Sequence, residues 1–221
     1  MNYLAHVLLA RPDPESRLGA LLGDFMQGVE LGALPPRVRA SVVEHRAIDG
    51  FTDGHPTVRR SWSRLAPGLR RFAPVLVDVF HDHFLVRHWG RFCPLALGAV
   101  TGGLYRALEE HRDLLPPRLE RVAPAMARDD WLGSYGDLES VDRACAGIAR
   151  RFRRPTPVAA GGAELRRRYA ALEEDFLAFF PQLVAFVRAA RSRACAPVPG
   201  RASTAGAPAT GSGTVASSTP R

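Results

Sequence analysis

The chain has 221 residues and a formal net charge of +8, enough length for one domain of ordinary size with a substantial core. All 30 basic residues are arginine, so basic patches are planar forks suited to phosphate and carboxylate partners. The three cysteines, Cys93, Cys145 and Cys195, are widely spaced and odd in number, which argues against a disulfide framework and predicts a reducing, cytoplasmic setting.

In chain order the sequence predicts helices throughout. Residues 2–10 are apolar but interrupted by His6 and followed by Arg11, Pro12 and Asp13. They are too short to span a bilayer and carry no basic leader, so they are expected to form the first helix of the fold, with no membrane partner. In 15–29, Leu18, Leu21, Leu22, Phe25 and Met26 fall on one helical face. Pro35-Pro36 opens a helix continued by Val38, Val42, Val43 and Ile48. The turn Thr52-Asp53-Gly54-His55-Pro56 leads into a helix over 57–65. The longest helix is expected at 70–92, with an interruption near Pro74, and others at 95–114, 117–132, 138–152 and 163–193, the last bent or broken near Pro181. No alternating β-branched run stands out, so an all-α bundle is expected for 1–195. From 196 to 221 the chain is Ala, Pro, Ser, Thr and Gly without apolar periodicity, and a disordered tail is expected there. The tail holds two arginines and no acid, leaving +6 on the body.

The chemistry lies in the first ninety residues. Between 72 and 86 there is no Arg, Ser or Gln, only apolar residues and Asp78, His81, Asp82 and His83. On a helix Asp78, His81 and Asp82 share a face, and burying such groups is costly unless a cation compensates them. His45 and Asp49 stand at i and i+4, a spacing by which a helix offers two side chains to one metal. Read blandly, they are a surface pair worth about 0.3 kcal/mol. Asp24 sits among Leu21, Leu22, Phe25 and Met26 at the edge of a narrow polar face, and His6 alone is no more than a core or surface histidine. Asp53 suits a helix cap as well as it suits chemistry. A mixed Asp/His set best matches Mn²⁺, with Mg²⁺, Fe²⁺ or Zn²⁺ as alternatives, and such an ion activates water for attack on a phosphoester. Arg46, next to His45, is a candidate to hold phosphate. There is no phosphate loop of the Gly-x-x-x-x-Gly-Lys type, no dinucleotide fingerprint and no nucleophile elbow. The basic runs at 150–154 and 166–168 give no strong case for a nucleic-acid partner.

Met-Asn-Tyr-Leu-Ala-His at 1–6, Gly23-Asp24-Phe25, the run from His45-Arg46-Ala47-Ile48-Asp49 to Gly54-His55-Pro56, and Val77-Asp78 with Asp82-His83-Phe84-Leu85 and His88-Trp89 together resemble the acyl carrier protein phosphodiesterase family. Weaker likeness continues through Trp131, Leu132 and Tyr135 and then 169–180. The resemblance implies a divergent, all-helical His-Asp metal-dependent phosphohydrolase that cleaves the phosphodiester between 4′-phosphopantetheine and a serine of acyl carrier protein, a reaction of lipid metabolism. It implies Mn²⁺ held by His45, Asp49, Asp78 and Asp82, with His6 and Asp24 as further ligands or their supports. His83 would donate the proton to the leaving oxygen with Asp53 as a further catalytic group, and Arg46 and His55 would hold substrate. His81 lies outside the family pattern. An acidic carrier protein suits the basic body, with Arg59, Arg60, Arg70, Arg71 or the 150–154 run as docking candidates. The alternatives are a phosphohydrolase of a nucleotide or other small phosphoester, and a non-catalytic module that binds carrier proteins.

Overall fold

Pro14, Pro36, Pro56 and Pro117 each stand in the first turn of a helix, where a missing N–H removes no intrahelical hydrogen bond. Side-chain acceptors reinforce several starts: Asp13 accepts from the Ser16 N–H, His55 from Thr57, Asp130 from Gly133 and Asp137 from Glu139. The computed structural model describes residues 1–195 and is helical, with no strand among the described residues. Its helices are α1 (Tyr3–Leu9), α2 (Pro14–Leu22), α3 (Pro36–Gly54), α4 (Pro56–Arg64), α5 (Ala73–Arg87), α6 (Trp89–Phe92), α7 (Leu97–Glu110), α8 (Pro117–Arg128), α9 (Trp131–Ser134), α10 (Leu138–Ala149) and α11 (Gly161–Cys195). The expected tail at 196–221 lies outside the described residues.

Helix α5 is the axis of the bundle. It packs against α1, α4, α10 and α11, and it is buried on nearly every side, by Leu76, Val77, Val79, Phe80, Phe84 and Leu85 together with His81, Asp82 and His83. A helix apolar on most of its circumference belongs inside a bundle, and any polar group on it needs an internal partner. Phe84 packs against Phe176 of α11, which in turn meets Phe180, and Phe80 and Phe179 are fully buried in the same core. Helices α2 and α3 approach so closely that a Cβ on Gly19 would lie 2.4 Å from the Val38 carbonyl oxygen, which restricts that position to glycine.

Several boundaries differ from expectation. Pro74 lies in the first turn of α5 rather than interrupting it, because residues 67–72 form a separate 3-10 helix. His88 ends α5 and separates it from α6. The longest helix is α11, which passes Pro181 without a break. Proline inside a helix costs roughly 3 kcal/mol, but Phe179, Phe180 and Leu183 around it are fully buried, and that packing holds the segment helical.

Candidate metal centre and its cavity

Helix α3 supplies the core of the site. His45 and Asp49 lie one turn apart, with His45 Nε2 at 3.1 Å from Asp49 Oδ2. His45 Nδ1 donates to the Ala20 carbonyl at 2.7 Å. That bond places the ring proton on Nδ1 and aims Nε2 at the centre, as the supporting carbonyl does for a metal-binding histidine. Gly23 makes room for the ring: a Cβ there would lie 2.2 Å from His45 Cγ. Glycine in the Gly23-Asp24 pair is thus a steric requirement of His45.

Helix α1 brings His6 to the same carboxylate. His6 Nε2 lies 3.1 Å from Asp49 Oδ1, and its ring stacks on His45 with centroids 3.6 Å apart. His6, His45 and Asp49 offer ligand atoms that all lie within 4.8 Å of one another. Asp24 Oδ2 stands 4.0 Å from His45 Nε2. The amino group of Met1 lies 3.0 Å from Asp49 and 3.3 Å from Asp78, which brings Asp78 of α5 to the rim.

The electrostatics follow from burial against pairing. Burial lowers the His6 imidazole to about 3, so the ring is neutral and able to act as a ligand. Burial would lower His45 too, but its hydrogen bond to Asp49 and the charge of Asp24 outweigh that and raise it. Asp49 would be raised by burial, yet the hydrogen bonds from His45 and His6 hold it far below the usual carboxylate range. Burial raises Asp24 and Asp78, only partly offset by His45 and by the Met1 ammonium, respectively. Three carboxylates around two imidazoles make a donor set that fits a divalent ion. His6 Nδ1 is buried without a partner, a further sign that these groups are not satisfied by one another alone.

The remaining expected residues separate from this centre. Asp82 was expected beside Asp78 at the metal, but it is fully buried and its oxygens accept the N–H groups of Leu4 at 2.9 Å and Ala5 at 3.1 Å. Asn2 provides no side-chain cap to α1, so Asp82 satisfies that helix start from across the bundle. Through α1 it positions His6. His83, expected as proton donor, has both ring nitrogens engaged, Nδ1 with the Tyr135 carbonyl and Nε2 with the Tyr169 hydroxyl, on a different face of α5. His81 is buried against Met1 Sδ, Phe176 and Phe179. Arg46 is exposed, one residue and about 100° around α3 from His45. Asp53 is exposed and does not cap α4, a place taken by His55, whose Nε2 meets Gln182 at 3.3 Å.

Beside the centre opens a cavity of about 540 Å³, lined by Met1, Asp24 and Asp78 on the side of the donors. Its apolar wall comes from Val75 and Val79 of α5, Trp131, Tyr135, and Ala144 and Ile148 of α10. Arg143, Arg150 and Arg151 also line it. Of the basic residues considered for docking, Arg150 and Arg151 therefore face the cavity, whereas Arg60 is committed to Asp175. Trp131 and Tyr135 were visible in the sequence only as part of a weak likeness, and Arg143 carried no signal there. Among the described residues no helix is long and apolar enough to cross a membrane.

A family model described as acyl carrier protein phosphodiesterase matches residues 1–183. A protein of Serratia proteamaculans (strain 568) with that name is 37% identical over 185 residues, covering 83% of this chain and 96% of the relative. Proteins of the same name from Salmonella newport (strain SL254) and Yersinia pestis are 35% and 31% identical, covering 84% and 83% of this chain and 96% of each relative. No solved structure matches the chain significantly. The site is thus carried by a chain that belongs to the acyl carrier protein phosphodiesterase family.

Proposed function

We propose that this protein hydrolyses the phosphodiester joining 4′-phosphopantetheine to a serine of holo acyl carrier protein, releasing the apo carrier and 4′-phosphopantetheine. The observation that carries the reading is the convergence of His6, His45 and Asp49 on one another, with Asp24 and Asp78 linking them to a cavity that arginines also line. The names of the relatives agree with it.

The centre is read as a Mn²⁺ site, with Mg²⁺ or Fe²⁺ as alternatives, because imidazole and carboxylate donors together suit such ions. Bound there, the ion would polarise the phosphodiester and supply a nucleophilic water. His45, fixed through Ala20, and His6, held neutral by burial, present nitrogen donors, and Asp49 bridges them. Arg143, Arg150 and Arg151 offset the charge of the diester and attract an acidic carrier protein. Water adds to phosphorus, the bond to the serine oxygen breaks, and that oxygen leaves with a proton. Donors drawn from separate helices of an all-helical bundle support placing the fold with the His-Asp phosphohydrolases. Unpaired, buried Cys93 and Cys145 suit a cytoplasmic setting.

The test is incubation of the full chain with holo acyl carrier protein and Mn²⁺, followed by intact-mass analysis. Loss of the whole phosphopantetheine mass from the carrier is expected. An unchanged carrier in the presence of each of the three ions, with turnover of a nucleotide in parallel, would overturn the reading.

A further inference from the structure

We propose that the cavity beside the donor cluster receives the phosphopantetheine arm of the substrate, while the folded carrier protein stays outside. This rests on the hydrolytic reading above and adds which side of the phosphodiester enters the protein. A volume of about 540 Å³ suits a small flexible molecule, since ligand sites run roughly 300–1,000 Å³, and it admits no folded domain.

The lining matches the chemistry of such an arm: a phosphate, a hydroxyl, paired methyl groups, two amides and a thiol in a linear chain. Val75, Val79, Trp131, Ala144 and Ile148 offer apolar contact for methyl and methylene groups. Asn2 lines the same cavity, and its Nδ2 is buried without a hydrogen-bond partner. An unpaired buried donor is costly, and an amide carbonyl of the arm is a natural acceptor for it. Ser134 and Ser140 add hydroxyls, although Ser134 Oγ already donates to the Trp131 carbonyl and Ser140 Oγ already accepts from Arg143. Because Asp24 and Asp78 belong both to the cavity and to the rim of the donor cluster, a phosphate at the centre leaves the arm to run along this wall. Arg151 lies beside the Tyr3 hydroxyl at the same opening, where it meets the charged end of the arm.

The experiment is calorimetric titration of the full chain with 4′-phosphopantetheine and with pantetheine, which lacks the phosphate, alongside the holo-carrier cleavage assay. Both small molecules are expected to bind, the phosphorylated one more tightly. Ala144→Trp and Ile148→Trp, each of which fills the cavity, are expected to weaken both by at least tenfold and to raise KM for the holo carrier. Circular dichroism identifies the variants that fold. Unchanged affinities in a folded filling variant would overturn the proposal, as would cleavage of the holo carrier by a chain that binds neither molecule. Binding that the filling variants abolish, in a chain that leaves the holo carrier intact, would support the cavity assignment and overturn the hydrolytic reading alone.

Discussion

Asp175 and Asp49 are both acids set among charged partners, and they are opposites in design. Asp175 is fully buried on α11, and its two oxygens take hydrogen bonds from Arg60, Arg64 and Ser61 of α4. Nothing is left over, and the group clamps two helices together. Asp49 is 38% exposed and shares its surroundings with two further carboxylates, Asp24 and Asp78, which line a cavity. A saturated network fixes a fold, whereas a cluster with surplus acid beside an open space leaves room for the cation and substrate proposed above.

Removing the donors should separate the two acids most sharply. His45→Ala or Asp49→Ala should lower cleavage of holo carrier protein by at least ~10³-fold, near the upper range for loss of a group acting at the reacting atoms, with little change in helical content. Steady-state kinetics beside circular dichroism checks this. Asp175→Ala should do the reverse. It removes the buried acceptor shared by Ser61 and the partly exposed Arg60 and Arg64, so denaturant unfolding should report a loss of about 1–3 kcal/mol, while the folded fraction keeps its turnover. Retained stability in this variant would mean that the α4–α11 clamp is dispensable.

Asp82 tests the boundary between the two kinds of acid. Asp82→Ala leaves the Leu4 and Ala5 amides without acceptors and should cost about 1–3 kcal/mol. Asp82→Asn keeps a carbonyl acceptor and should fall between the variant and the parent. Equal stability of all three would remove Asp82 as the anchor of α1.

The smallest effect expected is one of pH. Burial alone would raise Asp175, but the hydrogen bonds from Arg64, Arg60 and Ser61 prevail and lower it. A carboxyl lowered on folding adds stability above its unfolded pKa of roughly 3.9 and loses it as pH falls through the folded value. The advantage of the parent chain over Asp175→Asn should therefore be level from neutral pH to about 5 and shrink below about 4. A gap that widens on acidification would contradict this sign.

Much of the bundle was legible because proline, capping acids and apolar spacing act locally. The pairing of His45 with Asp49 was legible for the same reason, since i and i+4 on a helix leave little choice of neighbour. Spacing reports a shared face and not what that face meets. Asp78 and Asp82 share a face of α5, yet one reaches the rim of the centre and the other meets the start of α1, nearly eighty residues away in sequence. His83 was similarly claimed by Tyr135 and Tyr169 from distant segments. The cavity wall escaped notice because it is assembled by packing the chain start, α5, α9 and α10, none of which carries a motif for it. Helix α11 ran through Pro181 because burial outweighed a local penalty.

The most direct test of the centre is Mn²⁺ binding followed by electron paramagnetic resonance in the full chain. Saturable binding that disappears in His45→Ala and Asp49→Ala and persists in Asp175→Asn is the predicted result. Equal Mn²⁺ uptake by all four proteins, or by none, would contradict the claim that His6, His45 and Asp49 form a cation site.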